Sequence, residues 1–401
     1  MMFPIQPGAS AGPFQIGMSL PDAITVIQKR GMALRSAKIA YNSEEISADD
    51  ITISLTKHPI RFRFESSSQR LKLIDITNPT NIKLSYDGTE ICGDNSSTFA
   101  DIYRTFGPTF PGNFCPNRRI YSLIYPGIAA LFQMPESYTH RDGVLPDSRK
   151  DPSPKLCRIF IFHGEHPNKL SLPPITFDHR DFQQISVLIN RGIYLTKYQK
   201  LIQFGSTVQD VLSDLGRPTC EFHKGSDQMR IHSFSNEPSN SPSAGSYRDY
   251  FYNYFHSGLD ILFDGVTHSV KKFILHTNLV GRPDFNVYHK CNFFIDPEKN
   301  SQYCKEVKNI NSDSKWNEIR SVFGKPSRPF VRKHPVESFK SSQFYAFEGA
   351  VFEIALEKYI ASLTLFEADS LIPFCELPEP KIQPQSSSVR HTRISSRPSA
   401  R

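Results

Sequence analysis

The chain has 401 residues, 38% of them hydrophobic, a net charge of +7, 30 prolines, 31 phenylalanines and one tryptophan. That length suits two or three domains, and the wealth of proline and aromatic residues argues for turns and sheets over a helical bundle. No apolar run approaches the ~20 residues that span a bilayer, and the mild positive charge permits contact with anionic lipid or nucleic acid while requiring neither.

The N-terminal "MMFPIQPGASAGPFQIGMSL" lacks the basic start and apolar centre of a secretory signal. Seven dispersed cysteines with no CxxC pair read as thiols in a reducing compartment. The expected setting is cytoplasmic, with peripheral membrane contact at most.

Three segments repeat: "STFADIYRTFGPTFPG" (97–112), "STVQDVLSDLGRPTCEF" (206–222) and "DSKWNEIRSVFGKPSRPF" (313–330). Each has Ser or Thr within its first two residues, read as a helix cap. Each continues with apolar residues at helical spacing, such as Val208, Val211, Leu212 and Leu215. Each ends in glycine (Gly107, Gly216, Gly324) with a proline just beyond, which predicts a left-handed cap and a stop. A looser fourth copy, "GMSLPDAITVIQKRG" (17–31), lacks the proline.

Alternating strand-like runs follow each helix. They include "DITISL" (50–55) and "IRFRFE" (60–65), "RIYSLIYPGIAALFQM" (119–134), "DYFYNYF" (249–255) and "LDILFDG" (259–265), and "SQFYAFEGAVFEIALE" (342–357). The fold expected is α+β, a short capped helix followed by antiparallel sheet, recurring four times. Two units fall in residues 1–200 and two in 201–379. The polar tail 380–401, acid-free and carrying Arg390, Arg393, Arg397 and Arg401, reads as disordered. Residues 233–246 and 135–154 read as loops.

Chemical motifs are missing. The sequence has no GxGxxG after a strand, no Walker loop, no GxSxG and no HExxH. Asp260 and Asp264 flank an apolar strand and read as turn formers, with Asp264-Gly265 at a hairpin tip. Six of the 13 histidines lie between His223 and His289, and His289 with Cys291 makes one ligand-like pair. Structural zinc needs two such pairs, so no metal site is expected. The aromatic run "YRDYFYNYF" (247–255) supplies Tyr250, Phe251, Tyr254 and Phe255. With Lys271 and Lys272 of "THSVKKFILHTN" (267–278), these are the candidate partner-binding residues. As neighbours on a strand, the two lysines are expected on opposite faces.

The block "FGSTVQDVLSDLGRPTCEFHKGSDQMRIHS", then "DYFYNYFHSGLDILFDGVTHSVKKFILHTN" and "DFNVYHKCNFFI", resembles the phagosome (phagophore) assembly factor family, also called Lin-10-like. "FQIGMSLPDAITVIQK", "QRLKLIDI", "SKWNEIRSVFGKP" and "IASLTLFE" extend the resemblance along nearly the whole chain. It implies a non-enzymatic adaptor in autophagy without cofactor, catalytic residues or nucleic-acid partner. It also implies a WD-repeat β-propeller partner of the breast-carcinoma-amplified-sequence type, at the phagophore assembly site. Phosphoinositide recognition would belong chiefly to the propeller. The alternative it leaves is a peripheral phosphoinositide-binding trafficking factor at the trans-Golgi network.

Overall fold

The computed structural model describes residues 2–368, apart from 33–36, 43, 47, 57, 80–81, 93–96, 142–143, 147–153, 176–183, 225–247 and 333–340. The tail and the 233–246 loop read from the sequence lie outside the described residues.

Four units follow one another. The first holds β1 (Met2–Gln6), β2 (Ser10–Ala11), β3 (Phe14–Gln15), α1 (Leu20–Lys29), β4 (Ala37–Ala40), β5 (Ile51–Leu55), β6 (Ile60–Phe64) and β7 (Leu71–Thr77). The second holds β8 (Lys83–Tyr86), β9 (Thr89–Cys92), α2 (Phe99–Phe106), β10 (Asn113–Cys115), β11 (Ile120–Tyr125), β12 (Ile128–Gln133) and β13 (Lys155–Phe162). The third holds β14 (Gln184–Leu188), β15 (Gly192–Leu195), β16 (Lys200–Gln203), α3 (Val208–Leu215), β17 (Cys220–His223), β18 (Tyr250–Tyr254), β19 (Leu259–Phe263) and β20 (Val270–His276). The fourth holds β21 (Asn292–Ile295), β22 (Ile310–Asn311), α4 (Trp316–Phe323), β23 (Phe330–Arg332), β24 (Ser342–Phe347), β25 (Ala350–Ala355) and β26 (Tyr359–Phe366).

Units pair into halves in the same way twice. In the first half, β7 joins β13 to give an eight-stranded antiparallel sheet, and β1 joins β8 in parallel to give a five-stranded one. In the second half, β20 joins β26 and β14 joins β21 likewise. Because β14–β16 share one sheet with β21 and β22 through the β14–β21 pair, the second half opens by Gln184. The division read at residue 200 would cut this hairpin from its sheet.

The strands alternate as a one-sided sheet requires. In β6, Ile60, Phe62 and Phe64 are buried while Arg61 and Arg63 face out. The inward faces meet the helices and the smaller sheet. One core joins Leu20, Ile24 and Ile27 of α1 and Phe99 and Ile102 of α2 to Phe62, Phe64, Ile74, Tyr121 and Phe132. A second joins Val211 of α3 and Ile319 and Val322 of α4 to Ile261, Phe263, Phe273, Phe352 and Leu363.

A single device seats each helix. The N-cap residue bridges to the residue that leads into, or opens, the fourth strand after its helix, the last of the unit: Ser19 to Arg70, Thr98 to Lys155, Thr207 to Ser269 and Lys315 to Tyr359. Two residues beyond each bridge partner, that strand carries one extra residue against its neighbour: Lys72, Cys157, Lys271 and Ala361. Such a bulge bends the strand and raises its twist, so the sheet curls over its helix at the same place in all four units.

The helix caps partly follow the sequence reading. The hydroxyls of Ser19, Thr98 and Thr207 accept from the backbone N–H of an Asp three residues on. The fourth N-cap is Lys315 rather than a Ser, and Glu318 accepts its backbone N–H at 2.9 Å. Gly107, Gly216 and Gly324 do end their helices, with φ of 82°, 76° and 83°. Their ψ values of −173°, −166° and −152° lie far from the left-handed helical region that was expected. This extended positive-φ region is open to glycine almost alone, and it turns the chain sharply into the next strand. The left-handed cap belongs to the looser copy: the N–H groups of Gly31 and Met32 bond the carbonyls of Gln28 and Ile27. That pattern closes α1 as a Schellman motif.

The halves meet along residues 277–291. The Gln69 amide donates to the Asn278 carbonyl at 2.9 Å, and the Asn278 amide donates to Gln69 Oε1 at 2.8 Å. Val280 enters the core of the first half, and the Ile46 N–H donates to the Tyr359 hydroxyl at 3.0 Å.

A Cβ at Gly216 would have nothing within 4 Å, so a substitution there reports backbone strain alone. Gly216→Val is expected to lower the unfolding free energy by about 1–3 kcal/mol. Chemical denaturation measures it, and an unchanged midpoint would contradict the cap geometry.

Candidate functional site

The outer faces of the two large sheets differ, and each holds part of the candidate site. In the third unit, cross-strand partners lie on one face, so a row runs Phe222–Phe251–Leu262–Lys272 across β17, β18, β19 and β20. Phe222 is 56% exposed and Phe251 half-buried. The Lys224 ammonium stands 5.7 Å from the Phe251 ring centroid, a cation–π distance.

The bulge changes the reading of the two lysines. It pairs Leu262 with Lys272 and Phe263 with Val270, leaving Lys271 unpaired between them. Val270 and Phe273 stay buried, and neither lysine is. Strict alternation would place Lys271 and Lys272 on opposite faces; the extra residue lets both reach the outer surface. Lys271 lies 3.0 Å from Asp264 and 3.2 Å from Asp249. Burial opposes its charge, but these two carboxylates outweigh burial and hold its pKa above the ordinary value. Burial lowers the Lys272 pKa, and Lys224 and Lys271 lower it further. Among the described residues, no carboxylate lies within 4.0 Å of the Lys272 ammonium.

The aromatic candidates divide by strand parity. Tyr250 (7% exposed) and Tyr254 (6%) point into the second core. The Tyr250 ring stacks on Phe263 at 5.4 Å, and burial pushes its hydroxyl up to about 12. The Tyr254 hydroxyl donates to the carbonyl of the cap residue Gly216 at 3.0 Å, and burial raises its pKa too. Tyr125 does the same for Gly107 at 2.9 Å in the second unit. Tyr254 and Tyr125 therefore tie down helix ends from within the cores, while the Tyr250 hydroxyl pairs with His268 Nδ1 at 2.9 Å. Phe255 sits in a single 3-10 turn (Phe255–Ser257), edge-on to Tyr288 at 5.1 Å. Of the six residues named from sequence, Phe251, Lys271 and Lys272 share the outer face. Phe222, which joins them, carried no signal beyond its place in a short strand.

Beside this patch the outer face is closed by residues 277–291. Asp260 accepts from Asn253 (2.7 Å) and Tyr288 (2.7 Å) and lies 2.9 Å from His276 Nε2. It is thus the hub of a buried polar network rather than a turn former. Burial, then the Asp260 charge, raise the Tyr288 pKa. Arg282 pairs with Glu353 at 2.7 Å, each side chain 9% exposed. Asp264 does form the hairpin turn: its carboxylate accepts the N–H groups of Val266 and Thr267 at 2.8 and 2.9 Å.

The first half has only residues 78–82 between β7 and β8; on its outer face Leu170 packs against Leu73, Ala129 and Phe162. A cavity of about 560 Å³ lies there, lined by Arg61, Arg63, Asp75, Leu131, Arg158 and Phe160 among others. Arg158 grips Asp75 through Nε and Nη2, at 2.7 and 2.5 Å, and lies 4.7 Å over Phe160. The ligand-like pair His289 and Cys291 is split: Cys291 is buried in the second core, and burial raises its pKa. Among the described residues no helix is long and apolar enough to cross a membrane.

The family model for phagosome assembly factor 1 matches residues 10–366. The chain belongs to that family. It is 35% identical over 386 residues to a PHAF1 protein of Arabidopsis thaliana, covering 92% of this chain and 93% of that one. A PHAF1 protein of Drosophila melanogaster is 28% identical (90% and 92% covered), and one of Caenorhabditis elegans 29% (88% and 90%). No solved structure matches.

Tyr254→Phe, which removes only the helix-end hydrogen bond, is expected to cost about 0.5–1.5 kcal/mol. Tyr250→Ala, which empties a core position, should cost about 3 kcal/mol or more. Thermal and urea unfolding measure both, and a Tyr250→Ala protein of wild-type stability would return this residue to the surface.

Proposed function

We propose that this chain is a non-enzymatic assembly factor in autophagy. It works with a WD-repeat β-propeller protein of the breast-carcinoma-amplified-sequence type and is recruited from the cytoplasm to the phagophore assembly site. The observation that carries the reading is the family match along residues 10–366. The outer face of the third unit is the docking surface we favour. Exposed Phe222 beside Phe251 offers an aromatic anchor, the kind of residue that dominates interface energetics. Lys224, Lys271 and Lys272 ring it with charge, and Asp249 and Asp264 hold Lys271 in place. The partner surface that fits is apolar with an acidic rim.

A second reading, peripheral phosphoinositide binding at the trans-Golgi network, draws on the arginine-lined cavity of the first half. The two use different faces, so variants separate them.

Phe222→Ala with Lys272→Glu should weaken capture of the propeller partner by about 2 kcal/mol, roughly 30-fold, with an unchanged melting temperature. Arg61→Glu with Arg63→Glu should leave that capture intact. The reverse pattern, with liposome binding lost only in the arginine variant, would favour the second reading.

A further inference from the structure

Asp22, His256 and His289 come together where the two halves meet. One ligand atom from each lies within 4.8 Å of the others. Asp22 Oδ1 is 3.7 Å from His289 Nε2, and the two imidazole rings stand 4.9 Å apart at 72°. Ligands at about 2.0 Å around a tetrahedral ion sit about 3.3 Å from each other, so small side-chain movements close this set on one ion.

The three groups are held in place by the fold. Asp22 lies in the first turn of α1, where its Oδ2 takes the hydroxyl of the N-cap Ser19 at 2.6 Å. That bond turns Oδ1 toward His289. The His289 N–H donates to the Phe255 carbonyl at 2.8 Å, which ties it to the turn bearing His256. Gly258 closes the same turn at φ 63°, and a Cβ there would fall 2.4 Å from the His289 carbonyl oxygen. His289 is buried and His256 exposed, so the set opens to water on one side. The Ser19 hydroxyl thus orients the Asp22 carboxylate as an outer-shell partner orients a metal ligand.

We propose that Asp22, His256 and His289 bind a late first-row divalent metal ion, zinc in the cell, with water as the fourth ligand. Two imidazoles and one carboxylate suit zinc, while magnesium and calcium favour oxygen alone. Asp22 belongs to the first half and both histidines to the second, so the bound ion clamps α1 against the chain beneath it. Sequence spacing hides the site because its ligands lie 234 and 33 residues apart (256 − 22 and 289 − 256).

The test uses the full chain and zinc chloride alone, with a chromophoric zinc chelator as competitor. One zinc per chain is expected, with a higher melting temperature and no competition from magnesium or calcium. Cobalt(II) in its place should give the visible absorption of a four-coordinate site. His256→Ala removes an exposed side chain and should keep the fold while weakening zinc at least about tenfold. Asp22→Asn should weaken it and alter the cobalt spectrum. Absence of a stoichiometric site would overturn the proposal. So would wild-type zinc affinity retained in both the His256→Ala and the Asp22→Asn proteins, which would assign binding to scattered surface histidines and leave a plain His–Asp ion pair.

Discussion

Each helix of this protein is fastened at its N-cap to the start of the fourth strand that follows it, the last of its unit. The bridges Ser19–Arg70, Thr98–Lys155, Thr207–Ser269 and Lys315–Tyr359 recur with the same offset to a one-residue bulge. The bridge sets where the helix enters, and the bulge curls the sheet beneath it. Leu20 and Phe99 thereby reach the first core, and Ile319 and Val322 the second. Without this anchor an eight-residue helix such as α3 would be too short to persist in water. The pairing of the fourth strands, β7 with β13 and β20 with β26, then builds each half around its own bulges.

The same bulge decides what the outer surface offers. An extra residue at the start of a fourth strand presents two neighbouring side chains outward. In the third unit those are Lys271 and Lys272. In the first unit the bulged residue is Lys72, which meets Asp50 at 2.7 Å. The two halves diverge beyond that point. Residues 277–291 lay Arg282 and Tyr288 over the second sheet and reach across to Gln69 and the first core. A few residues take the equivalent place in the first half, where Leu170 packs on the outer face instead. One stretch thus covers a polar network, joins the halves and carries His289 to Asp22.

Much of this organisation was written locally and could be read. A hydroxyl followed three residues later by Asp, apolar spacing of a helix and a glycine before proline mark α2 and α3 without tertiary help. The cap conformation was not legible, since positive φ at Gly107, Gly216 and Gly324 is compatible with more than one ψ and the following strand selects it. The bulge was not legible either: a single extra residue leaves the period-two pattern of "VKKFILH" intact from Phe273 onward. That is why Lys271 and Lys272 were placed on opposite faces. Strand parity separates Phe251 from Tyr250 and Tyr254, but only the pairing with Phe263 and the bond to Gly216 tell which parity faces in. The Asp260 network and the Asp22–His256–His289 cluster depend on contacts between distant segments, and spacing along the chain carries no trace of them.

The central proposal is that a WD-repeat partner docks on the outer face of the third unit, while inward Tyr254 holds the helix end. Hydrogen–deuterium exchange of the full chain with and without the WD-repeat partner tests it directly. β17 is an edge strand of its sheet, so its outward amides are open to exchange and sensitive to cover. The account predicts slower exchange along Cys220–His223 and the neighbouring β18–β19 hairpin on complex formation. Protection confined to the first half, with residues 220–263 unchanged, would contradict it.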